Sequence, residues 1–376
     1  MKLLYFLTHI TNSGGMERIV IDKINYLSDH GYDISLVYFG TNNDQPFFYL
    51  NQNVKLLPID LFIDTSSLLQ KGSCFIKLIS LLKSILKQEK PDVVVNANVL
   101  VVSWILPFLN KNIPKVVELH FSYDGMMLMN KEYYGSNLLK SYLNNFLRNW
   151  IYPKYDKCIL LTEDDKKKWK FKNSVVIPNF SNLHSVERKN NKQHNVICVG
   201  RLAPQKNINL LVKAWAIVAK RQPSWHLDIW GDGELHDKIS SLIAKLKLQD
   251  CITLQGTSAN LESEYSNYSF FVLPSRYEGF PLVLVEAMQF QLPCIGFNIS
   301  GNRAIIEDGK NGILVNNRTP EDLANAILKL IESPQLLMEM SDYASQSIGR
   351  YTKDNVMNMW INLFEELKHK KNETYR

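Results

Sequence analysis

The sequence predicts an α/β protein built of two doubly wound parallel-sheet halves. Three observations carry that expectation. The chain has 376 residues, too many for one ordinary core and suited to two of about 180. Short apolar runs alternate with helically periodic segments from Lys2 to Pro178, the pattern of βα units whose strands lie parallel. The alternation stops in a polar, aperiodic stretch, NFSNLHSVERKNNKQHN from Asn179, and restarts at Asn195.

Composition agrees with a globular protein. Hydrophobic residues make up 45% and charged residues 21%, enough for a large core and contrary to disorder. Cys74, Cys158, Cys198, Cys251 and Cys294 are scattered, with no Cys-x-x-Cys pair, which implies a reducing cytoplasm, no disulfide framework and no zinc site. The apolar run after Met1 stops at Thr8-His9 without a small-residue cleavage site, so a first strand is expected there rather than a signal peptide. Val99 to Leu109 contains Ser103 and Pro107 and is too short to span a bilayer. A soluble or peripheral protein follows. Net charge is +6, of which residues 1–180 carry +5 and the rest +1. No nucleic-acid module accompanies the basic half, so the expected anionic partner is a membrane surface, on its inner face, and not nucleic acid.

Lys2–Thr8 reads as a buried strand. Gly14-Gly15 then opens a helix with Met16, Ile19, Val20, Ile24 and Leu27 on one face, stopped at Gly31. The Gly pair is either a tight turn or a ligand loop, since it follows a strand and precedes a helix N-terminus. Strands are expected at Asp33–Phe39, Val54–Ile59, Asp92–Ala97 and Lys115–His120, with helices within Phe75–Gln88 and around Val99–Leu109. His120 ends its strand at the ligand edge of a parallel sheet, although a lone His is more often structural. Residues 121–129 read as a loop rich in Met and Tyr. Asn137–Tyr152 reads as an amphipathic helix surrounded by Lys131, Lys140, Arg148, Lys154 and Lys157, facing either the core or anionic lipid. Lys157–Thr162 and Ser174–Asn179 are strands, with a charged helix from Glu163 between them.

The second half opens with strand Asn195–Gly200, then Arg201-Leu-Ala-Pro-Gln-Lys206-Asn207 and helix Ile208–Arg221. Two cations on a turn at a helix start are either solvated or a clamp for a diphosphate. Trp225–Trp230 leads to Gly231-Asp-Gly233-Glu234, where a dinucleotide fingerprint would need Gly at the place of His236. Strand Cys251–Gly256 follows. Then comes Phe270–Pro274, a buried strand running into Ser275-Arg-Tyr-Glu278-Gly279-Phe280-Pro281-Leu282 and an apolar helix carrying Glu286. A carboxylate inside an apolar run is costly to bury unpaired, so Glu286 is either on a solvated face or aimed at a ligand. Short strands at Pro293–Phe297 and Gly312–Val315, and helices over Pro320–Ser333, Pro334–Ile348 and Asn355–Lys368, complete the chain.

Taken together, Gly14-Gly15-x-Glu17, Ile177-Pro-Asn179, Gly200-Arg-Leu-x-x-x-Lys206-Asn, Gly231-x-Gly-x-Glu234 and Glu278-x7-Glu286 resemble the retaining glycosyltransferases of family 4, also called glycosyl transferases group 1. The resemblance covers nearly the whole chain. Phe180 departs from it, standing where the family's Ile-Pro-Asn-Gly hinge has Gly. It implies GT-B architecture, two Rossmann-like domains facing a central cleft. The expected divisions are an acceptor domain over 1–178, a linker over 179–194 that allows closure, a nucleotide-sugar domain over 195–352, and a helix over 353–376 returning to the first domain. By resemblance, Arg201 and Lys206 bind the nucleotide diphosphate and Glu286 the ribose. Glu278, with backbone groups of Gly279, Phe280, Pro281 and Leu282, holds the sugar. Gly14, Gly15 and Gly256 border the donor, and His120 touches its sugar or phosphate. The implied catalytic set is His120, Glu278, Arg201 and Lys206. The implied reaction moves a sugar, with retention, from a UDP- or GDP-linked donor to a glycan acceptor on polyprenyl diphosphate, in bacterial surface polysaccharide assembly. No cofactor is expected, and no metal, since the chain lacks Asp-x-Asp and the two cations can balance the leaving group. The competing readings are a GT-B sugar-nucleotide epimerase, an inactive nucleotide-sugar-binding protein and an NAD-dependent oxidoreductase.

Overall fold

The computed structural model describes residues 1–61, 68–97, 99–134, 138–182, 194–258 and 261–373. It has two compact units, one of Met1–His120, Met127–Ile177 and Val356–Arg376, the other of Phe121–Met126 and Pro178–Asn355. Of the expected linker, residues 183–193 lie outside the described residues. Ser181 belongs to the second unit, its hydroxyl donating to Gln289 at 3.0 Å.

The first half runs β1 (Lys2–Leu7), α1 (Gly15–Asp29), β2 (Asp33–Phe39), β3 (Lys55–Ile59), α2 (Leu68–Glu89), β4 (Val93–Asn96), α3 (Leu100–Ile105), β5 (Lys115–Leu119), α4 (Tyr123–Tyr134), α5 (Leu138–Ile151), β6 (Lys157–Leu160), α6 (Glu163–Trp169) and β7 (Ser174–Val176). Its strands form one parallel sheet in the order β3-β2-β1-β4-β5-β6-β7. Helices cover both faces of such a sheet, and Leu3 to Leu7 of β1 are accordingly all buried. On α1, Ile19, Val20, Ile24 and Leu27 are buried as their spacing requires. Thr162 caps α6 by accepting from Asp165 N.

The second half runs β8 (Asn195–Val199), α7 (Ile208–Arg221), β9 (His226–Trp230), α8 (His236–Lys245), β10 (Ile252–Gly256), α9 (Glu262–Tyr265), β11 (Phe270–Leu273), α10 (Leu282–Gln289), β12 (Cys294–Phe297), α11 (Ser300–Ile305), β13 (Gly312–Val315), α12 (Pro320–Ile331), α13 (Pro334–Ser347) and α14 (Lys353–Glu373). Its sheet is also parallel, in the order β10-β9-β8-β11-β12-β13. The doubly wound class expected from the alternation is what forms. Strand order reverses direction between β1 and β4 in one sheet and between β8 and β11 in the other. Loops leaving those neighbouring strands diverge, which opens a crevice at their C-terminal ends. From Val356 onward α14 belongs to the first unit, burying Met357, Trp360 and Phe364.

Residues 121–129 are not a loop. Ser122 Oγ accepts from Gly125 N at 3.1 Å and starts α4, with Met126 buried and Leu128 and Met129 exposed. The sign was local, a Ser N-cap ahead of Asp124 and good helix formers. Helix α8 also escaped the sequence reading, although Ile239 and Ile243 stand one turn apart and are both buried.

Candidate active site

In the second unit the site begins with the turn after β8. Glycines of the loop after β9 brace it. Gly231 has φ +130°, and a Cβ there would fall 2.2 Å from the Gly200 carbonyl oxygen. A Cβ on Gly233 would fall 2.7 Å from the Leu202 oxygen. Leu202 N donates to Asp232 O at 2.9 Å, and Leu235 N donates to Leu202 O at 3.0 Å. The Gly-x-Gly pair therefore fixes the backbone of the turn that carries Arg201 and Lys206. Asn207 ends that turn in the left-handed region, φ +55°, and Asn207 Nδ2 donates to Pro274 O at 3.3 Å.

Glu278 lies in the loop after β11, across the reversal from that turn, and is buried. Lys206 Nζ stands 2.6 Å from its Oε1, and Gln205 Nε2 donates to its Oε2 at 3.3 Å. Gln205 Nε2 also reaches Tyr277 O at 3.0 Å, while Arg276 N donates to Gln205 O at 2.8 Å. Two loops that diverge by topology are thus closed on each other by one glutamine, Asn207 and one ion pair. Gly301 of α11 completes the cradle, since a Cβ there would lie 2.7 Å from Glu278 O. Sequence reasoning missed Gln205 and Gly301. Neither position has a periodicity or motif that marks it, because their partners are more than twenty residues away.

Glu286 is buried on α10 and not on a solvated face. The hydroxyl of Tyr265, itself fully buried and stacked on Phe290, donates to Glu286 Oε2 at 3.3 Å. Gly279, Phe280, Pro281 and Leu282 lead into the α10 N-terminus, where Pro281 offers no side-chain cap. Phe280 packs edge-on against Tyr351, so it acts there as a wedge of the core. Gly256 ends β10 with φ +71°, and its carbonyl accepts from Gly231 N at 2.7 Å. Arg201 is exposed at the head of its turn and has no ion pair among the described residues. The structure joins Lys206 to Glu278 directly and leaves Arg201 apart from them.

In the first unit, Gly14 is the N-cap of α1 and lies under the Glu17 carboxylate, whose Oε2 would be 2.2 Å from an added Cβ. Asn12 Nδ2 donates to Glu17 Oε1 at 3.3 Å, and Gly15 faces open space. His120 follows β5 at the same C-terminal sheet edge. Its Nε2 is 3.4 Å from Glu118 Oε2, and Glu118 pairs with Lys23 at 2.5 Å. Burial opposes the Glu118 charge, and Lys23 and His120 together more than offset it, holding the carboxyl below its ordinary range. Burial pushes the Cys158 and Cys198 thiols up to about 12, which leaves both inert. Among the described residues no three His, Cys, Asp or Glu side chains are grouped to hold a metal.

Two parallel α/β units with this pair of loops at the sheet reversal define the GT-B class of glycosyltransferases. Residues 179–347 match the family Glycosyl transferases group 1 and residues 13–184 match Glycosyltransferase Family 4, and the chain belongs to this family of enzymes. It is 29% identical to an uncharacterized glycosyltransferase of Haemophilus influenzae, over 96% of this chain and 98% of that one. It is 27% identical, over 96% and 98%, to the amylovoran biosynthesis glycosyltransferase AmsD of Erwinia amylovora. It is 25% identical, over 98% and 100%, to the GalNAc-alpha-(1->4)-GalNAc-alpha-(1->3)-diNAcBac-PP-undecaprenol alpha-1,4-N-acetyl-D-galactosaminyltransferase of Campylobacter jejuni. Sucrose-phosphate synthase from Thermosynechococcus elongatus shares the fold, with TM-score 0.80 at 18% identity over 97% and 98% of the chains. The chain is a glycosyltransferase whose relatives include enzymes of bacterial polysaccharide biosynthesis, and transfer rather than epimerisation is the activity their names share.

Proposed function

We propose that this glycosyltransferase moves a sugar from a nucleoside-diphosphate sugar, UDP- or GDP-linked, to a hydroxyl of a polyprenyl-diphosphate-linked glycan, with retention and without a metal ion. The observation that carries the reading is the Lys206–Glu278 pair, held by Gln205 at the sheet reversal. A diphosphate entering there takes over the Lys206 ammonium with Arg201, and Glu278 is released to accept from a sugar hydroxyl. The same two cations then balance the charge that grows on the leaving diphosphate, the largest need of the reaction. Glu286, a buried carboxylate, suits the paired hydroxyls of a ribose beside Gly256, and the backbone from Gly279 to Leu282 suits the sugar. His120, Gly14 and Gly15 are assigned to the sugar, the phosphates and the acceptor. Retention by attack on the leaving-group side, with the departing phosphate as base, fits residues already engaged elsewhere. Glu118 is tied to Lys23 and Glu17 to Asn12, so neither is offered as a nucleophile.

A lipid-linked acceptor is supported by the Campylobacter jejuni relative's undecaprenol substrate and by α5. That helix carries Tyr142, Leu143, Phe146 and Trp150 to solvent while Arg148 is buried. Ile151 of the same helix is buried in the core, so the exposed residues make a second apolar face beyond the one that packs. Each such side chain is worth about 1.5–3 kcal/mol when fully buried, a strong inducement to enter an interface. Among the described residues no helix is long and apolar enough to cross a membrane, which leaves peripheral contact with its anionic inner face as the proposed arrangement. Nucleotide release from UDP-, GDP- and ADP-sugars, in EDTA, with and without membrane lipid extract, tests the whole reading. Lipid-dependent release of one nucleotide, with the product anomer retained by NMR, supports it. Release abolished by EDTA sinks metal independence, and sugar interconversion without release sinks transfer.

A further inference from the structure

Inside the first unit a charged cluster stands that the transfer chemistry does not by itself require. Lys23 of α1 is buried, its Nζ 2.5 Å from Glu118 Oε2 and 3.8 Å from the centre of the Trp360 ring on α14. A buried ion pair is rarely more stable than well-packed apolar side chains of the same volume. Stability is therefore a poor reason for this one. Strand alternation points to another, because residues two apart project to the same face, and His120 is two beyond Glu118. His120 Nε2 is 3.4 Å from Glu118 Oε2, a gap that a small ring rotation closes into a hydrogen bond. Both ring nitrogens of His120 and the Oε1 of Glu118 are buried without hydrogen-bond partners among the described residues.

We infer that Glu118 is a positioning residue for His120, fixing the imidazole proton on Nε2 so that Nδ1 accepts a hydrogen bond from a substrate hydroxyl. An ionised carboxylate can only accept, so the ring nitrogen facing it must be the one that donates. The other nitrogen of a neutral ring is then an acceptor. The Lys23 ammonium against Glu118 favours its anionic form in the core. This inference rests on the assignment of His120 above and narrows it, choosing a sugar or acceptor hydroxyl over a phosphate oxygen, which would need an N–H.

The test uses the full-length chain. Long-range proton–nitrogen NMR, with His120→Gln to identify the signals, reads the tautomer of His120 directly, and Nε2–H is expected. Lys23→Met with Glu118→Leu removes both charges together, so the fold is kept without an orphaned ion. That pair of substitutions is expected to lose the Nε2–H preference and about 10- to 100-fold in kcat, the scale seen when the hydrogen-bond partner that orients a metal-ligating histidine is removed. Donor KM should stay within about twofold, because the diphosphate site is elsewhere. Lys23→Met with Glu118→Gln restores an acceptor oxygen and should recover part of the loss. A merely structural role predicts the reverse order, with Leu the better replacement. An unchanged tautomer, an unchanged kcat or no recovery with Gln overturns the assignment. Were the wild-type chain to turn over no donor at all, the proposed function would fall, and the tautomer alone would support or overturn the role of Glu118.

Discussion

Lys206 shows how far one side chain is committed in advance. Its ammonium sits 2.6 Å from Glu278, so the two charges already balance, and under the proposed function a donor exchanges that contact for its own phosphates. Lys206→Ala removes the cation and leaves Glu278 buried with Gln205 as its side-chain partner among the described residues. A donor to a developing charge is worth about 100- to 1,000-fold in kcat, and a loss in that range is expected in the nucleotide-release assay. Retention of more than half the wild-type rate would place the leaving-group charge elsewhere. Glu89 is committed in the same manner but to the fold. It accepts from Ser35 at 3.0 Å and Lys55 at 2.7 Å, and pairs with Lys2 at 2.9 Å. Burial alone would raise its pKa, and these three contacts outweigh burial and hold it at about 2.

Among the elements, α11 and α5 make opposite bargains. Gly301 is the second residue of α11, where the lack of a side chain costs backbone entropy but less than in a helix interior. What it permits is the approach of Glu278, 2.7 Å from where a methyl would stand. Gly301→Ala should therefore raise donor KM several-fold while the unfolding midpoint barely moves. A KM within error of wild type would show that the loop yields at no cost. Helix α5 spends apolar surface on solvent instead, and its exposed aromatic residues mean something only beside a partner. Phe146→Asp with Trp150→Asp should abolish flotation of the protein with phosphatidylglycerol vesicles and leave nucleotide release with a soluble acceptor analogue intact. Binding that survives the double change, or that persists on neutral vesicles at high salt, would remove the membrane from the account.

At the scale of the whole molecule, acid stability follows from Glu89, which ties Lys2 of β1, Ser35 of β2 and Lys55 of β3 to the end of α2. Its folded pKa is depressed, so its contribution is complete above the ordinary 4.5 and is lost as pH falls toward about 2. Glu89→Gln should cost about 2 kcal/mol at pH 7, the worth of hydrogen bonds to a charged group, and should flatten the decline in stability between pH 4.5 and 2. An acid limb as steep as wild type would contradict it. The sequence by itself determined the class of fold, because buried parallel strands and amphipathic helices leave periods of hydrophobicity that local reading detects. It also placed Lys206 and Glu278 beside strand ends, where short-range punctuation by Gly, Pro and Asn marks the loops, and Glu286 on the apolar helix that follows. Tertiary structure alone decided which of those residues touch. Arg201 and Lys206 read alike as cations on one turn, yet only Lys206 meets Glu278, since side-chain direction is set by packing rather than by spacing. Gln205, Tyr265, Gly301 and Lys23 find their partners across 73, 21, 23 and 95 residues of chain, and contacts at that range leave no local trace. Helix α5 follows the same rule. Its pattern shows two faces, and only the packed molecule shows which one was turned to water.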